Sequence, residues 1–259
     1  MPPQDAPRFW NAAGYPADKV SRILFEGAQT DTGDFSSEQK ACLEVFRSIR
    51  EVTQAPIFIQ ENSQVALINF GSRLKTCGYL FRDREGIIVS VSDRVPTRAL
   101  FHELCHFKLR WVDKVPHLQL PRSAFGRAAQ SLLNNELDHL EIVPREIEVF
   151  GKKAEKIWAK RWSDFPKNTG RQAWPTIAIR TLCATVALQP ESRTKVAKTA
   201  RRLGLQEKAD SFAREMMKLR PDRSAMVRFA LEAFEIKASG GMLQVESPND
   251  GRPSIEFIS

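Results

Sequence analysis

Cysteine is scarce in this chain, and its four copies, Cys42, Cys77, Cys105 and Cys183, never fall into a Cys-x-x-Cys pair. That excludes zinc fingers of the paired-cysteine kind and argues against a disulfide framework, so reduced, buried thiols are the expectation. Long apolar runs are missing too: none approaches the ~20 residues that a membrane span needs. The first residues, MPPQDAPRFWNAAGYPADK, lack the basic-then-apolar shape of a secretory signal. A cytoplasmic protein without a membrane partner is therefore expected. Histidine occurs four times and tyrosine twice, so chemistry that depends on either is confined to few positions. The remainder is ordinary for a folded protein: 259 residues, 42% hydrophobic and 27% charged, enough for one large domain or two.

Acidic residues are locally thin. Between Gly151 and Arg223 there are 18 Lys plus Arg against 7 Asp plus Glu, a net of +11, while the whole chain carries +8, so everything else sums to −3. The basic excess thus belongs to one region. It suits a nucleic-acid surface, with Trp beside basic residues in KKAEKIWAKRW, or equally a solvated helical face with core tryptophans.

The histidines carry the strongest pattern. All four, His102, His106, His117 and His139, fall within 38 residues, and the first two lie in ALFHELCHFKLRW. On a helix, positions i and i+4 lie one above the other, so His102 and His106 present two imidazoles in one direction, as two tetrahedral zinc ligands must. Glu103 sits one step round, where a general base would take a proton from a water activated by the metal. Leu100, Phe101, Leu104, Phe107 and Leu109 make the rest of the helix apolar. A buried helix that carries two His and a Glu needs partners for those polar groups, and a metal serves. Ser92 and Asp93 can cap it, and Pro96 suits its first turn. The bland alternative is chance: His-Glu-x-x-His should arise on the order of once in a hundred or two random chains of this size.

On His102, Glu103 and His106 the chain resembles the zincin metallopeptidases. The resemblance implies one Zn2+ per chain, an α+β fold with a small sheet against the active-site helix, and a substrate peptide bound as an added strand. A third ligand is then needed. The metzincin spacing is absent, because FKLRWVDKVPH follows the motif. The better region is QSLLNNELDHLEIVPREIE, residues 130–148, where Leu132, Leu133, Leu137, Leu140 and Val143 form a helical stripe that Pro144 is expected to end. Glu136 flanks that stripe, and a Glu from a second helix is the gluzincin arrangement; Asn135-Glu136 resembles its opening, although the Asp that often follows is here Leu140. Spacing cannot orient a second helix, so Glu136, His139 and Asp138 all stand as candidates. His117, His139 and Tyr79 are candidates to stabilise an oxyanion. Cys77, in KTCGYLF, is a candidate inhibitory thiolate at the metal's open position.

Along the chain, residues 1–36 read as an irregular arm. Residues 37–150 read as a zincin-like domain: a helix capped by Ser37, four short and mainly antiparallel strands (APIFIQ, QVALINF, KTCGYLF, EGIIVSVSD), the motif helix, a loop around DKVPHLQLPRS, and the third-ligand helix. Residues 151–259 read as a basic all-helical region with a β-hairpin tail around Asn249-Asp250-Gly251. NNELDHLEIVP, with Asn135 and the closing Ile-Val-Pro, also resembles the ImmA/IrrE-type metallopeptidases of bacteria. That family's implication is a zinc endopeptidase that cleaves a regulatory protein, often a transcriptional repressor, in a stress or phage-related response. The competing expectation is a nucleic-acid-binding or sensor protein whose zincin-like domain is a non-catalytic scaffold.

Overall fold

The computed structural model describes residues 36–53, 57–61, 78–82, 85–90, 97–121, 124–164, 174–245 and 254–258. The chain divides into two compact units, Met1–Asp113 with Pro248–Asp250, and Lys114–Ser247 with Gly251–Ser259. The expected N-terminal arm, the strand QVALINF, the cap at Ser92, Asp93 and Pro96, and the Asn249-Asp250-Gly251 turn lie outside the described residues.

In the first unit, helix α1 (Ser37–Thr53) begins one residue after its true cap. The amide of Gln39 donates to Ser36 Oγ at 3.2 Å, and Gln39 Oε1 accepts from the Ser36 amide at 3.0 Å. This reciprocal pair is a capping box, so Ser36 rather than Ser37 caps the helix, because the glutamine that completes the box lies three residues after Ser36. Cys42, Val45, Phe46, Ile49 and Thr53 form the buried face. That face packs on helix α2 (Thr97–Trp111), with the Cys42 thiol donating to the Thr97 carbonyl at 3.3 Å.

Among the described residues the first unit also has three strands: β1 (Ile57–Glu61), β2 (Gly78–Arg82) and β3 (Glu85–Ser90), in the order β1-β3-β2. β2 and β3 are antiparallel across a two-residue link, with Tyr79 opposite Ile88. β1 and β3 run parallel, with Ile57 opposite Gly86. The expectation of a mainly antiparallel sheet is therefore corrected to a mixed one. Residues 62–84 separate β1 from β3, which is ample for the dozen or more that a parallel crossover requires.

The second unit opens on β4 (His117–Gln119), within the stretch expected to be a loop. Its backbone is claimed on both sides. The side-chain amide of Asn134 accepts from the Leu118 amide and donates to its carbonyl, each at 2.9 Å. The tail strands β5 (Met242–Val245) and β6 (Ser254–Phe257) build an antiparallel sheet in the order β4-β5-β6, with His117 opposite Gln244. A three-residue strand is too short to register as periodicity.

Helix α3 (Ala124–Ser163) runs through Pro144, where the sequence pattern predicts a stop. Proline inside a helix forfeits a hydrogen bond and clashes with the carbonyl four residues back, about 3 kcal/mol or more. Leu137, Leu140 and Val143 are all but fully buried in the core, and each such side chain contributes roughly 1.5–3 kcal/mol, enough to override one proline. The break comes instead at Gly151, with φ 63° and ψ −152°, a combination that is essentially reserved to glycine. The expected boundary at residue 150 thus coincides with this kink, and both sides of it belong to the second unit.

Four more helices follow: α4 (Trp174–Ala187), α5 (Pro190–Arg202), α6 (Gln206–Leu219) and α7 (Arg223–Ala233). Pro190 opens α5 and the Asp222 carboxylate caps α7 by accepting from the Ala225 amide. α4 is apolar enough to be the central rod, packing on α3, α5 and α6. Trp158, Trp162, Leu182, Phe212 and Val227 join Leu118 and Leu243 of the sheet in one core. The whole is α+β and mostly helical. Among the described residues no helix is long and apolar enough to cross a membrane.

Candidate metal centre

Ten residues of α2 are buried, His102, Glu103 and His106 among them. A helix covered on nearly every side is a core element, so its polar residues need a purpose or a partner. The rings of His102 and His106 stand 4.9 Å apart, centre to centre, at 85° to one another. This is the i, i+4 juxtaposition that the sequence predicts. Cys105 is also buried, in the thiol form.

The candidate third ligands occupy one turn of α3, and each has a different environment. Asp138 accepts from the Arg223 guanidinium at 2.6 Å, and its other oxygen lies 4.0 Å from His117 Nε2. Arg223 also donates to the Asn134 carbonyl at 3.2 Å. Asp138 is thereby part of a buried ion pair inside the second unit. Glu136 Oε2 lies 3.1 Å from His139 Nδ1, and both side chains are buried. Burial alone would raise the Glu136 pKa. The adjacent His139, its hydrogen bond, and the charges of Arg180 and Arg161 outweigh that and hold the carboxyl well below the usual carboxylate range. His139 is fully buried, its ring 4.7 Å from that of Trp158. The Arg161 guanidinium covers Trp158 at 4.8 Å.

His102, His106 and His139 are three buried imidazoles that could hold a metal ion. The donor set fits zinc by chemistry: three imidazoles are a known catalytic complement, leaving a position for water. Of the three third-ligand candidates, His139 is the one that supplies a third imidazole.

The other predicted residues fall elsewhere. His117 is buried on β4 beside Asp138. Tyr79 is placed by register alone, and Cys77 lies outside the described residues. Sequence reasoning missed Arg180 and Arg223, two largely buried guanidiniums whose pKa values burial pushes down against the pull of Glu136 and Asp138 respectively. A signal was present for the first, since Arg180 interrupts the apolar run TIAIRTLCATVAL. Trp158 and Trp162, the tryptophans of KKAEKIWAKRW, are core residues.

No protein-family model, curated protein or solved structure matches the chain.

Proposed function

We propose that the protein is a zinc-dependent endopeptidase, with His102, His106 and His139 holding the metal and Glu103 acting as general base. The observation that carries this reading is the pair of buried imidazoles His102 and His106, one turn apart on α2 with the buried Glu103 between them in the chain. When bound between three neutral imidazoles, a zinc ion keeps its full charge, polarises a carbonyl and makes water more acidic. Glu103 then takes the proton of the attacking water and returns it to the leaving amine nitrogen. Its burial keeps competing bulk water away from that proton. Nothing in a purely structural zinc site would require a carboxylate at this place, and that favours catalysis over scaffolding. The resemblance at His102, Glu103 and His106 supports a peptide bond as the target, and the resemblance of NNELDHLEIVP to the ImmA/IrrE-type metallopeptidases supports a regulatory protein as the substrate.

The test is Glu103→Gln beside wild type, each loaded with zinc and incubated with a proteome-derived peptide library. The reading expects wild-type cleavage at a defined sequence and at least about a hundredfold loss in the variant, with zinc content unchanged. Equal cleavage by both proteins, or none by zinc-loaded wild type on peptides or on folded candidate repressors, would overturn it.

A further inference from the structure

We infer that Glu136 is a positioning residue: its carboxylate fixes the tautomer and ring angle of His139, so that Nε2 is the nitrogen offered to a metal. The inference rests on the proposed site for its purpose, but its geometry lies wholly within the second unit. Glu136 and His139 are three residues apart on one helix, so their separation is set by the backbone and not by chance packing. The 3.1 Å contact joins Nδ1 to a carboxylate oxygen. A carboxylate only accepts, so Nδ1 carries the hydrogen, and in the neutral ring the lone pair then belongs to Nε2.

Two further contacts hold the pair. The tilted ring of Trp158, 57° from that of His139, restricts its rotation. Behind it, the Cys183 thiol donates to the Glu136 carbonyl at 3.1 Å and ties that turn of α3 to α4. A buried carboxylate also needs countercharge, which Arg180 and Arg161 supply. The carboxylate–imidazole pair so formed raises the basicity of the free ring nitrogen, as outer partners of metal-binding histidines do. The residue that by family pattern would be a ligand is here the support of one.

The experiment measures zinc affinity by competition with a chromophoric chelator for wild type, His139→Ala, Glu136→Ala and Glu136→Gln, and 15N ring spectra of the zinc-free proteins. Wild type should show the Nδ1–H tautomer at His139. Glu136→Ala should lose it and bind zinc about 10–100-fold more weakly, still at one ion per chain. Glu136→Gln, whose carbonyl still accepts from Nδ1 and whose shape preserves the packing, should lose less, which also serves if the alanine variant fails to fold. His139→Ala should lose more than either. Undiminished affinity in Glu136→Ala would overturn the inference and leave Glu136 a structural partner. A loss in Glu136→Gln equal to that in His139→Ala would overturn it in favour of direct ligation. An Nε2–H tautomer in the zinc-free wild type would overturn the inference alone. Absence of zinc binding with the Nδ1–H tautomer intact would instead overturn the metal site and spare Glu136's hold on the ring.

Discussion

Asp138 and Arg223 meet at 2.6 Å, and Asp138 is fully buried while Arg223 is nearly so. The pair ties the start of α7 to the middle of α3. Asp138 is therefore committed to structure, although no local pattern distinguishes it from its neighbours for that duty. Removing one partner of a buried pair leaves the other charge uncompensated, at roughly 3–5 kcal/mol. Asp138→Asn should lower the unfolding free energy by about that much in urea titrations, while the folded variant keeps its zinc. Arg223→Met should be destabilised to a similar degree. A folded Asp138→Asn protein that binds no zinc would return Asp138 to the ligand set.

Gly151 marks the kink in α3. A Cβ built there meets nothing within 4 Å, so any cost of Gly151→Ala is backbone strain alone. At φ 63° and ψ −152° that strain should destabilise the second unit by about 1–3 kcal/mol. Chemical denaturation would measure it, and an unchanged midpoint would show that the kink relaxes without a glycine.

Burial pushes the Cys42 thiol up to about 12, and the Cys183 thiol is raised as well, again by burial first. At pH 8 a thiol with that pKa is about one part in ten thousand thiolate, against roughly one part in four for a free cysteine. Iodoacetamide labelling of the native protein, read by peptide mass spectrometry, should therefore be orders of magnitude slower at Cys42 than in denaturant. Comparable rates in the two states would contradict the packing of α1 on α2.

The motif helix was legible because its information is local: i, i+4 histidines, a Glu between them and an apolar remainder need no knowledge of the fold. The helical character after residue 150 and the hairpin tail were legible for the same reason. What escaped depends on neighbours distant in sequence. Pro144 reads as a stop until Leu140 and Val143 are seen to be core residues. His117–Gln119 reads as loop until Asn134 and the tail strands claim its backbone. β1 reads as a hairpin arm until β3 pairs with it in parallel. The turn that carries Glu136, Asp138 and His139 stands out in the sequence, but telling their environments apart required Arg223 and Trp158, which lie 85 and about 20 residues further along the chain.

The central claim is that His102, His106 and His139 together hold one metal ion. Zinc content of the purified protein after reconstitution and desalting, measured by elemental analysis for wild type, His106→Ala and His139→Ala, tests it most directly. Wild type should carry about one zinc per chain and either variant little, with all three folded. A zinc-free wild type, or a folded His139→Ala protein that retains its full zinc, would contradict it.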